Sequence, residues 1–292
     1  MPLPILDLGK QFRPSTSHVY PPFKKGRYME EYMYDYLVSK QDSIQTSLIY
    51  IPVFWTNMQN HPAFQQMKEK YQILLDAALK KMPPTSKYFT IVQHDDGPQL
   101  QLPKDIIIFG SCTGTIPLPL IYEDTSNYLN EISKDRSKSI FLSFIGSYTH
   151  PIRKELVNCL SMKKDIYWYT KDTWTPSIPE KDAELFVERT LASKFCLAPR
   201  GYGRSSFRFF EAMQLDTIPV YVWDDVEWLP YKEILDYSTF AVSIHKKDIK
   251  KLYDILQSIS DEKYRSMVEN IKQLRHYFTL EGMAEYILNR II

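Results

Sequence analysis

The 292-residue chain is poor in cysteine, with only Cys112, Cys159 and Cys196. An odd, widely spaced set without a C-x-x-C pair suggests neither a disulfide framework nor a zinc site, and leaves buried free thiols as the reading. No run of 18 apolar residues occurs, so no membrane-spanning helix is expected. The opening segment, MPLPILDLGKQFRP, is too short and too interrupted for a signal peptide. N-x-S/T sequons are absent as well. Charge of one sign is also missing: 36 Lys and Arg stand against 35 Asp and Glu, a net charge of +1. No bulk field draws such a chain to nucleic acid or to an anionic membrane, so any anion site must be local.

What is present reads as globular, with 44% hydrophobic and 24% charged residues. The length suits one large domain or two of ordinary size. Aromatics make up 14%, with 21 tyrosines. Such rings stack on sugars but also fill cores, and composition does not choose between these uses.

One stretch organises the rest, Lys194 to Val222 (KFCLAPRGYGRSSFRFFEAMQLDTIPVYV). Phe195 to Ala198 has the apolar pattern of a buried parallel strand. Pro199-Arg200-Gly201-Tyr202-Gly203 breaks it and frees the backbone to turn. Ser205 or Ser206 is a good helix N-cap, with Arg208 and Glu211 in the next turns. Ile218 to Val222 is the next strand. A glycine loop feeding a helix N-terminus gathers backbone N–H groups at the positive end of the helix dipole, which suits phosphate. Arg200 and Arg208 add donors that fit a diphosphate, and Glu211 could accept from a ribose. The plainer alternative is that Arg208 and Glu211 form a surface i,i+3 pair and the glycines only turn the chain. The loop matches neither G-x-G-x-x-G nor a P-loop.

Around this stretch, strands and helices alternate. Residues 1 to 25, with five prolines, read as an extended arm. Helices are expected over Arg27–Val38 and Ala63–Lys81, and strands at Leu48–Ile51, Tyr88–Val92 and Ile106–Phe109, with a loop from Val53 to His61. The polar run from Asn130 to Ser139 reads as an interdomain linker. Beyond it come strands at Ile140–Ile145, Ile166–Tyr169 and Thr239–Ile244, helices at Pro151–Ser161 and Glu180–Ala192, and a mostly helical end from Asp248. Alternation of this kind predicts parallel sheets with helices on both faces. Two such runs predict two doubly wound, Rossmann-like α/β domains facing a cleft, 1–135 and 136–292, with the last helix returning to the first domain.

The order Leu197-x-Pro199-Arg200-Gly201, Ser205/Ser206-x-Arg208-x-x-Glu211-Ala212, Ile218-Pro219-Val220 resembles the signature of the exostosin-like glycosyltransferases (GT47 type). Pro230, Ile234-Leu235-Asp236-Tyr237 and Phe240-Ala241-Val242 fit its continuation. Upstream, Phe144-Ile145-Gly146 followed by Arg153 fits its F-x-G…R element, and His94-Asp95-Asp96-Gly97 is similar to the H-D-x-G segment of its plant branch. The ordered matches run from about residue 28 to 260. This resemblance implies a GT-B fold of two Rossmann-like domains and an inverting sugar transfer from a UDP-sugar to an oligosaccharide or glycoprotein glycan. Through the plant-like segment it points to xylose as the donor sugar. The short chain without an anchor is compatible with a soluble, virus-encoded member in the cytoplasm. A Golgi location would follow if an N-terminal anchor had been removed.

In open α/β sheets the ligand lies beyond the carboxyl ends of the strands. In the C-terminal half those ends carry Gly146 to Arg153, Trp174 and its neighbours, and Pro199 to Arg208. The expected donor site is therefore Gly146, Arg153, Pro199, Arg200, Gly201, Ser205, Ser206, Arg208 and Glu211, with Arg204 beside them. Fixed cations there stabilise a departing diphosphate more in the transition state than in the ground state. A D-x-D triplet, the usual metal–diphosphate ligand of the other large transferase fold, is absent. Asp95-Asp96 and Asp224-Asp225 are adjacent pairs, which point to opposite faces of an extended chain. No metal site and no cofactor is expected. Asp224-Asp225 is read as capping a turn. The acceptor base is expected to be Asp95, with His94 second; the alternative is that His94 to Gly97 is a tight turn in which Asp95 caps backbone N–H groups. Glu30, Glu31 and Asp35 are further carboxylates, Tyr32, Tyr36, Phe54 and Trp55 further stacking candidates, and Trp223 and Trp228 candidates to flank the transferred sugar. Two other readings stay open: a non-catalytic glycan- or nucleotide-sugar-binding partner of another glycosyltransferase, and a Rossmann-type enzyme such as an epimerase.

Overall fold

The computed structural model describes residues 2–15, 26–175 and 178–292. The expected arm at 1–25 and the neighbours of Trp174 therefore lie partly outside the described residues. In chain order the elements are α1 (Met29–Ser39), β1 (Leu48–Tyr50), α2 (Trp55–Gln59), α3 (Phe64–Leu79), β2 (Lys87–Val92), β3 (Ile107–Gly110), β4 (Ile116–Pro117) and α4 (Tyr128–Glu131). Next come β5 (Ile140–Ser147), α5 (Pro151–Leu160), β6 (Ile166–Lys171), α6 (Glu180–Leu191), β7 (Ser193–Pro199), α7 (Phe207–Gln214) and β8 (Ile218–Trp223). The chain ends with β9 (Val242–His245), α8 (Leu252–Gln257), α9 (Asp261–Leu274) and α10 (Leu280–Ile291). The fold is α/β, built from two compact units with one parallel sheet each.

The first unit comprises Arg27–Glu123, Thr279–Ile292 and the N-terminal residues from Pro2. Its sheet runs in chain order, β1-β2-β3-β4, with every pair parallel. The arm is extended as expected up to a single 3-10 turn at Lys10–Phe12. It runs beside β1, where Tyr50 N–H donates to Pro4 O at 2.8 Å and Leu6 N–H to Tyr50 O at 2.9 Å. An otherwise open sheet edge is thereby covered. Leu6, Leu8 and Phe12 from the arm pack with Ile51, Trp55, Phe64 and Leu75 in one buried cluster. Each large side chain so buried contributes roughly 1.5–3 kcal/mol. Val53 to His61, expected as a loop, holds the five-residue helix α2, all of it buried. That helix is too short to show a period, and burial of Trp55 and Met58 sets its conformation. α1 contacts β2 and α10, and α10 counts with this unit.

The second unit, Asp124–Phe278 together with Gly26 among the described residues, holds the five-stranded parallel sheet β6-β5-β7-β8-β9. The division falls between Glu123 and Asp124, upstream of the expected boundary at 135, and the polar run from Asn130 to Ser139 belongs to this unit. α4 opens that run, burying Leu129 and packing on α7. The strand order reverses once, between β5 and β7. Right-handed crossovers then send the connections after β5 and after β7 to opposite faces, which leaves a crevice between the carboxyl ends of these two strands. Phe144, Leu156, Phe195, Leu197, Val220 and Ala212 are fully or almost fully buried around the sheet. The caps are local: Ser260 accepts from Lys263 N–H at the start of α9. At the start of α10, in the first unit, Thr279 accepts from Gly282 N–H. Each cap is worth about 1 kcal/mol.

Candidate functional site

Three segments at strand ends build the crevice of the second unit: residues 147–150 at the end of β5, residues 200–206 after β7, and Asp224 with Asp225 after β8. Strand ends present carbonyl oxygens without ladder partners, and arginines answer them here. Arg153, on the first turn of α5, is only 9% exposed. Its Nε donates to Arg200 O at 3.0 Å, Nη1 to Ser147 O at 2.8 Å and Nη2 to Pro199 O at 3.1 Å. One guanidinium thus ties the end of β5 to the end of β7. α5 is set up for this by Pro151 in its first turn and by His150 as N-cap, whose Nδ1 accepts from Ile152 N–H.

The glycines serve this closeness rather than a left-handed turn, which neither Gly146 nor Gly201 adopts. A Cβ on Gly201 would stand 3.1 Å from Arg153 Nη2 and 3.2 Å from Thr149 Oγ1. On Gly146 it would stand 3.2 Å from the Phe144 ring and 3.5 Å from Arg153 Nη1.

Arg208 and Glu211 pair as the i,i+3 spacing allows, but the pair is not on the surface. Arg208 is 14% exposed and Glu211 5%. Arg208 Nη1 donates to Glu211, Nε donates to Ile145 O at 2.9 Å, and the guanidinium lies 4.1 Å from the Phe186 ring centre. The residue therefore links α7 to the end of β5, one position before Gly146. Ser205 and Ser206 are buried before α7. Ser206 occupies the N-cap position with extended backbone, but its hydroxyl makes no cap bond, so the capping expected of these serines is not made by the side chain.

A second cluster adjoins the first. Arg200 Nη1 donates to Asp224 Oδ1 at 2.7 Å and Asp225 Oδ1 at 2.8 Å. Arg204 Nε donates to Asp225 Oδ2 at 2.8 Å. His150 Nε2 lies 3.6 Å and Lys246 Nζ 3.8 Å from Asp224 Oδ2. The expectation that Asp224 and Asp225 point apart and only cap a turn is corrected here. Trp223 ends β8, so the pleat no longer applies, and both carboxylates converge on one guanidinium. Asp225 does also accept locally, from Val226 N–H at 2.7 Å. Burial opposes its charge, but the hydrogen bonds from Arg204 and Val226 and the charge of Arg200 hold it below the usual carboxylate range. Burial, then the Arg200 charge, lowers His150 below the ordinary histidine value, against the pull of Asp224. The sequence reading missed His150, Lys246 and the role of the aspartates. A faint signal existed in an acidic pair one strand after Arg200.

The nine expected donor residues are thus brought to the carboxyl ends of β5 and β7. Exposed beyond the two strands that flank β5 are Trp174 after β6 and Tyr202 after β7, 57% and 64% exposed. Trp228 is buried, and Trp223 donates to Ser243 Oγ at 3.1 Å. A groove of about 870 Å³ lies along β9 and contains none of the nine. Among the described residues no three His, Cys, Asp or Glu side chains gather as metal ligands. Cys112 and Cys196 are buried free thiols, whereas Cys159 is exposed on α5.

His94 to Gly97 lies in the first unit, just after β2. It is a tight turn, with Gly97 N–H donating to His94 O at 3.0 Å and Gly97 at φ +71°. His94 caps locally, its Nδ1 accepting from Asp96 N–H at 3.2 Å. In the neutral imidazole that places the proton on Nε2, which then donates rather than accepts. Burial lowers the His94 pKa and favours this neutral form. Asp95 is exposed and accepts from the Cys112 thiol at 3.1 Å. Close by, Glu30 on α1 is 1% exposed. Its Oε1 accepts from Gln93 N–H at 2.8 Å, Thr56 Oγ1 at 2.7 Å and Thr56 N–H at 3.2 Å, while Oε2 is buried without a hydrogen-bond partner. Burial raises its pKa to about 7, against the effect of these bonds. Phe54 and Trp55 are core residues, and Tyr32 and Tyr36 stack on each other.

The Exostosin GT47 domain matches residues 109–259, and the chain belongs to that family. A probable glycosyltransferase of Arabidopsis thaliana is 30% identical over 170 residues, 57% of this chain and 34% of that protein. The exostosin-1 homolog of Caenorhabditis elegans is 26% identical over 203 residues, 61% of this chain and 52% of that protein. The chain thus spans between a third and about half of the length of these relatives. Among solved structures, sucrose-phosphate synthase from Thermosynechococcus elongatus aligns with 82% of this chain and 65% of its own, at 12% identity and a TM-score of 0.41. Among the described residues, no helix is long and apolar enough to cross a membrane.

Proposed function

We propose that the chain is an inverting glycosyltransferase that moves a sugar from a UDP-sugar, with xylose as the leading donor, to a hydroxyl of an acceptor glycan. The observation that carries this reading is the set of guanidinium groups of Arg153, Arg200 and Arg208 around the β5/β7 crevice, beside the N-terminus of α7. Three fixed cations and a helix dipole at a strand-order reversal suit a diphosphate. They stabilise the leaving group as its charge develops. Arg153 acts mainly by holding the two strand ends together, and Arg208 and Arg200 present charge to the ligand. Protein cations fill the role that a metal ion has in other transferases, and the reaction proceeds without one.

Asp95 is the proposed base for the acceptor hydroxyl. Its carboxylate is exposed, whereas His94 in its neutral form offers a donor at Nε2. One carboxylate suffices for a single in-line displacement.

One observation favours a second reading. Arg200, Arg204 and Arg208 all have carboxylate partners in the protein, as they would in a binding module that no longer turns over. A panel of UDP-sugars with glycan acceptors separates the readings, with UDP release as the signal. Transfer from one sugar nucleotide, together with at least tenfold weaker UDP binding in Arg208→Ala, supports the enzyme. UDP binding without release under any acceptor supports the module, and no UDP binding refutes both.

A further inference from the structure

Asp225 occupies an unusual place for an acid. It stands at the carboxyl end of β8, beside a cluster of arginines, and is 42% exposed, whereas the Arg200 side chain is 12% exposed. Its two carboxylate oxygens serve two different arginines: Oδ1 accepts from Arg200 Nη1 and Oδ2 from Arg204 Nε. Asp224 behaves differently. It is 14% exposed, shares the same Arg200 nitrogen and has His150 and Lys246 nearby, so it is fixed in the interior of the cluster.

A carboxylate that bridges two guanidinium groups presents the same pattern of acceptor oxygens that a phosphate would present to them. We infer that Asp225 competes with the donor diphosphate for Arg200 and Arg204, and is a device for letting the product nucleotide go. When a diphosphate enters, Arg200 and Arg204 exchange Asp225 for phosphate oxygens, and the exposed Asp225 carboxylate turns to solvent. When sugar transfer leaves UDP behind, Asp225 takes the arginines back. Asp224 stays on Arg200 throughout and keeps that guanidinium in place. No bond is made or broken in this exchange, only hydrogen bonds and ion pairs change partners. The inference rests on the reading of the crevice as a UDP-sugar site.

It makes a counterintuitive prediction. Removing the charge of Asp225 from a nucleotide site should tighten nucleotide binding. Asp225→Asn keeps the shape and the acceptor for Val226 N–H but removes the competitor. The measurement is UDP affinity by calorimetry for the wild-type chain, Asp225→Asn and Asp225→Glu, at low and high salt, with uridine as a ligand without phosphate. The expected result is UDP binding roughly three- to tenfold tighter in Asp225→Asn, the scale of one partly exposed charge interaction. The gain should shrink with added salt, be missing for uridine and be reversed in Asp225→Glu. If donor turnover is limited by product release, kcat falls in Asp225→Asn while KM falls with it. UDP binding unchanged or weakened in Asp225→Asn, with the thermal unfolding of the variant intact, overturns the inference while the donor site stands. A wild-type chain that does not bind UDP at all overturns the donor-site reading itself.

Discussion

Glu30 offers a test of the structure that is independent of any substrate. Its pKa of about 7 in the folded chain compares with 4.5 for an ordinary glutamate. The difference, 7 − 4.5 = 2.5, corresponds to about 3 kcal/mol of folding free energy. The sign follows from which state holds the proton. Below pH 4.5 the carboxyl is protonated in both folded and unfolded chains, and its burial carries no ionic cost. Between pH 4.5 and 7 the unfolded chain has lost the proton and the folded chain has kept it, so stability drains away as pH rises. Above pH 7 both are ionised and the full cost of about 3 kcal/mol stands.

Glu30→Gln removes the titration and leaves an amide oxygen that can still accept from Gln93 and Thr56. The amide nitrogen then takes the place of the unpartnered Oε2, at a pH-independent cost of about 1–3 kcal/mol. The quantity to measure is therefore the pH dependence and not the stability at one pH. Urea unfolding of both chains between pH 4.5 and 8.5, followed through the indole NMR signal of Trp55, reads the first unit alone, because the other four tryptophans lie beyond residue 123. The buried indole donates to Thr90 Oγ1 at 2.9 Å and reports loss of packing directly. The variant should gain about 3 kcal/mol relative to wild type across that pH range. Parallel stability curves for the two chains would refute the reasoning: Glu30 would then be solvated or paired, and not buried with one naked oxygen.

Two further predictions concern the site. Asp95→Asn should leave UDP affinity within twofold of wild type and abolish transfer in the UDP-release assay; full transfer in that variant moves the base elsewhere. Arg153→Met removes the donor to three carbonyls at once and should destabilise the second unit by about 2–4 kcal/mol, seen in urea unfolding, with UDP binding lost alongside.

Much of the second unit is legible in the chain because its signals are local. Phe195 to Ala198, the Pro199–Gly203 break and the Arg208–Glu211 spacing sit within one stretch, and each is a short-range event: an apolar run, a turn, a helix period. The structure keeps that order, with β7 at Ser193–Pro199 and α7 at Phe207–Gln214. What was not legible lies between stretches. Arg200 meets Asp224 and Asp225 only because β7 and β8 are neighbours that end at the same level, with Ala198 opposite Tyr221 and Pro199 opposite Val222. Strand pairing fixes that meeting, and no spacing within either segment announces it.

The same distinction separates Glu30 from Glu31. The sequence presents two adjacent acids at the start of a tyrosine-rich helix, with nothing in their types to tell them apart. Glu31 caps its own helix, accepting from Tyr28 N–H at 3.0 Å. Glu30 turns inward because Gln93 and Thr56, brought from β2 and α2, supply the N–H and O–H donors that a carboxylate needs when water is excluded. Gln93 answers in kind, its Oε1 accepting from Met29 N–H at 3.0 Å. A buried charge is decided by who surrounds it, so the raised pKa of Glu30 is invisible to any reading of its own helix. The residues that hold the crevice of the second unit are half visible: their types and spacing can be read from the chain, and their partners cannot.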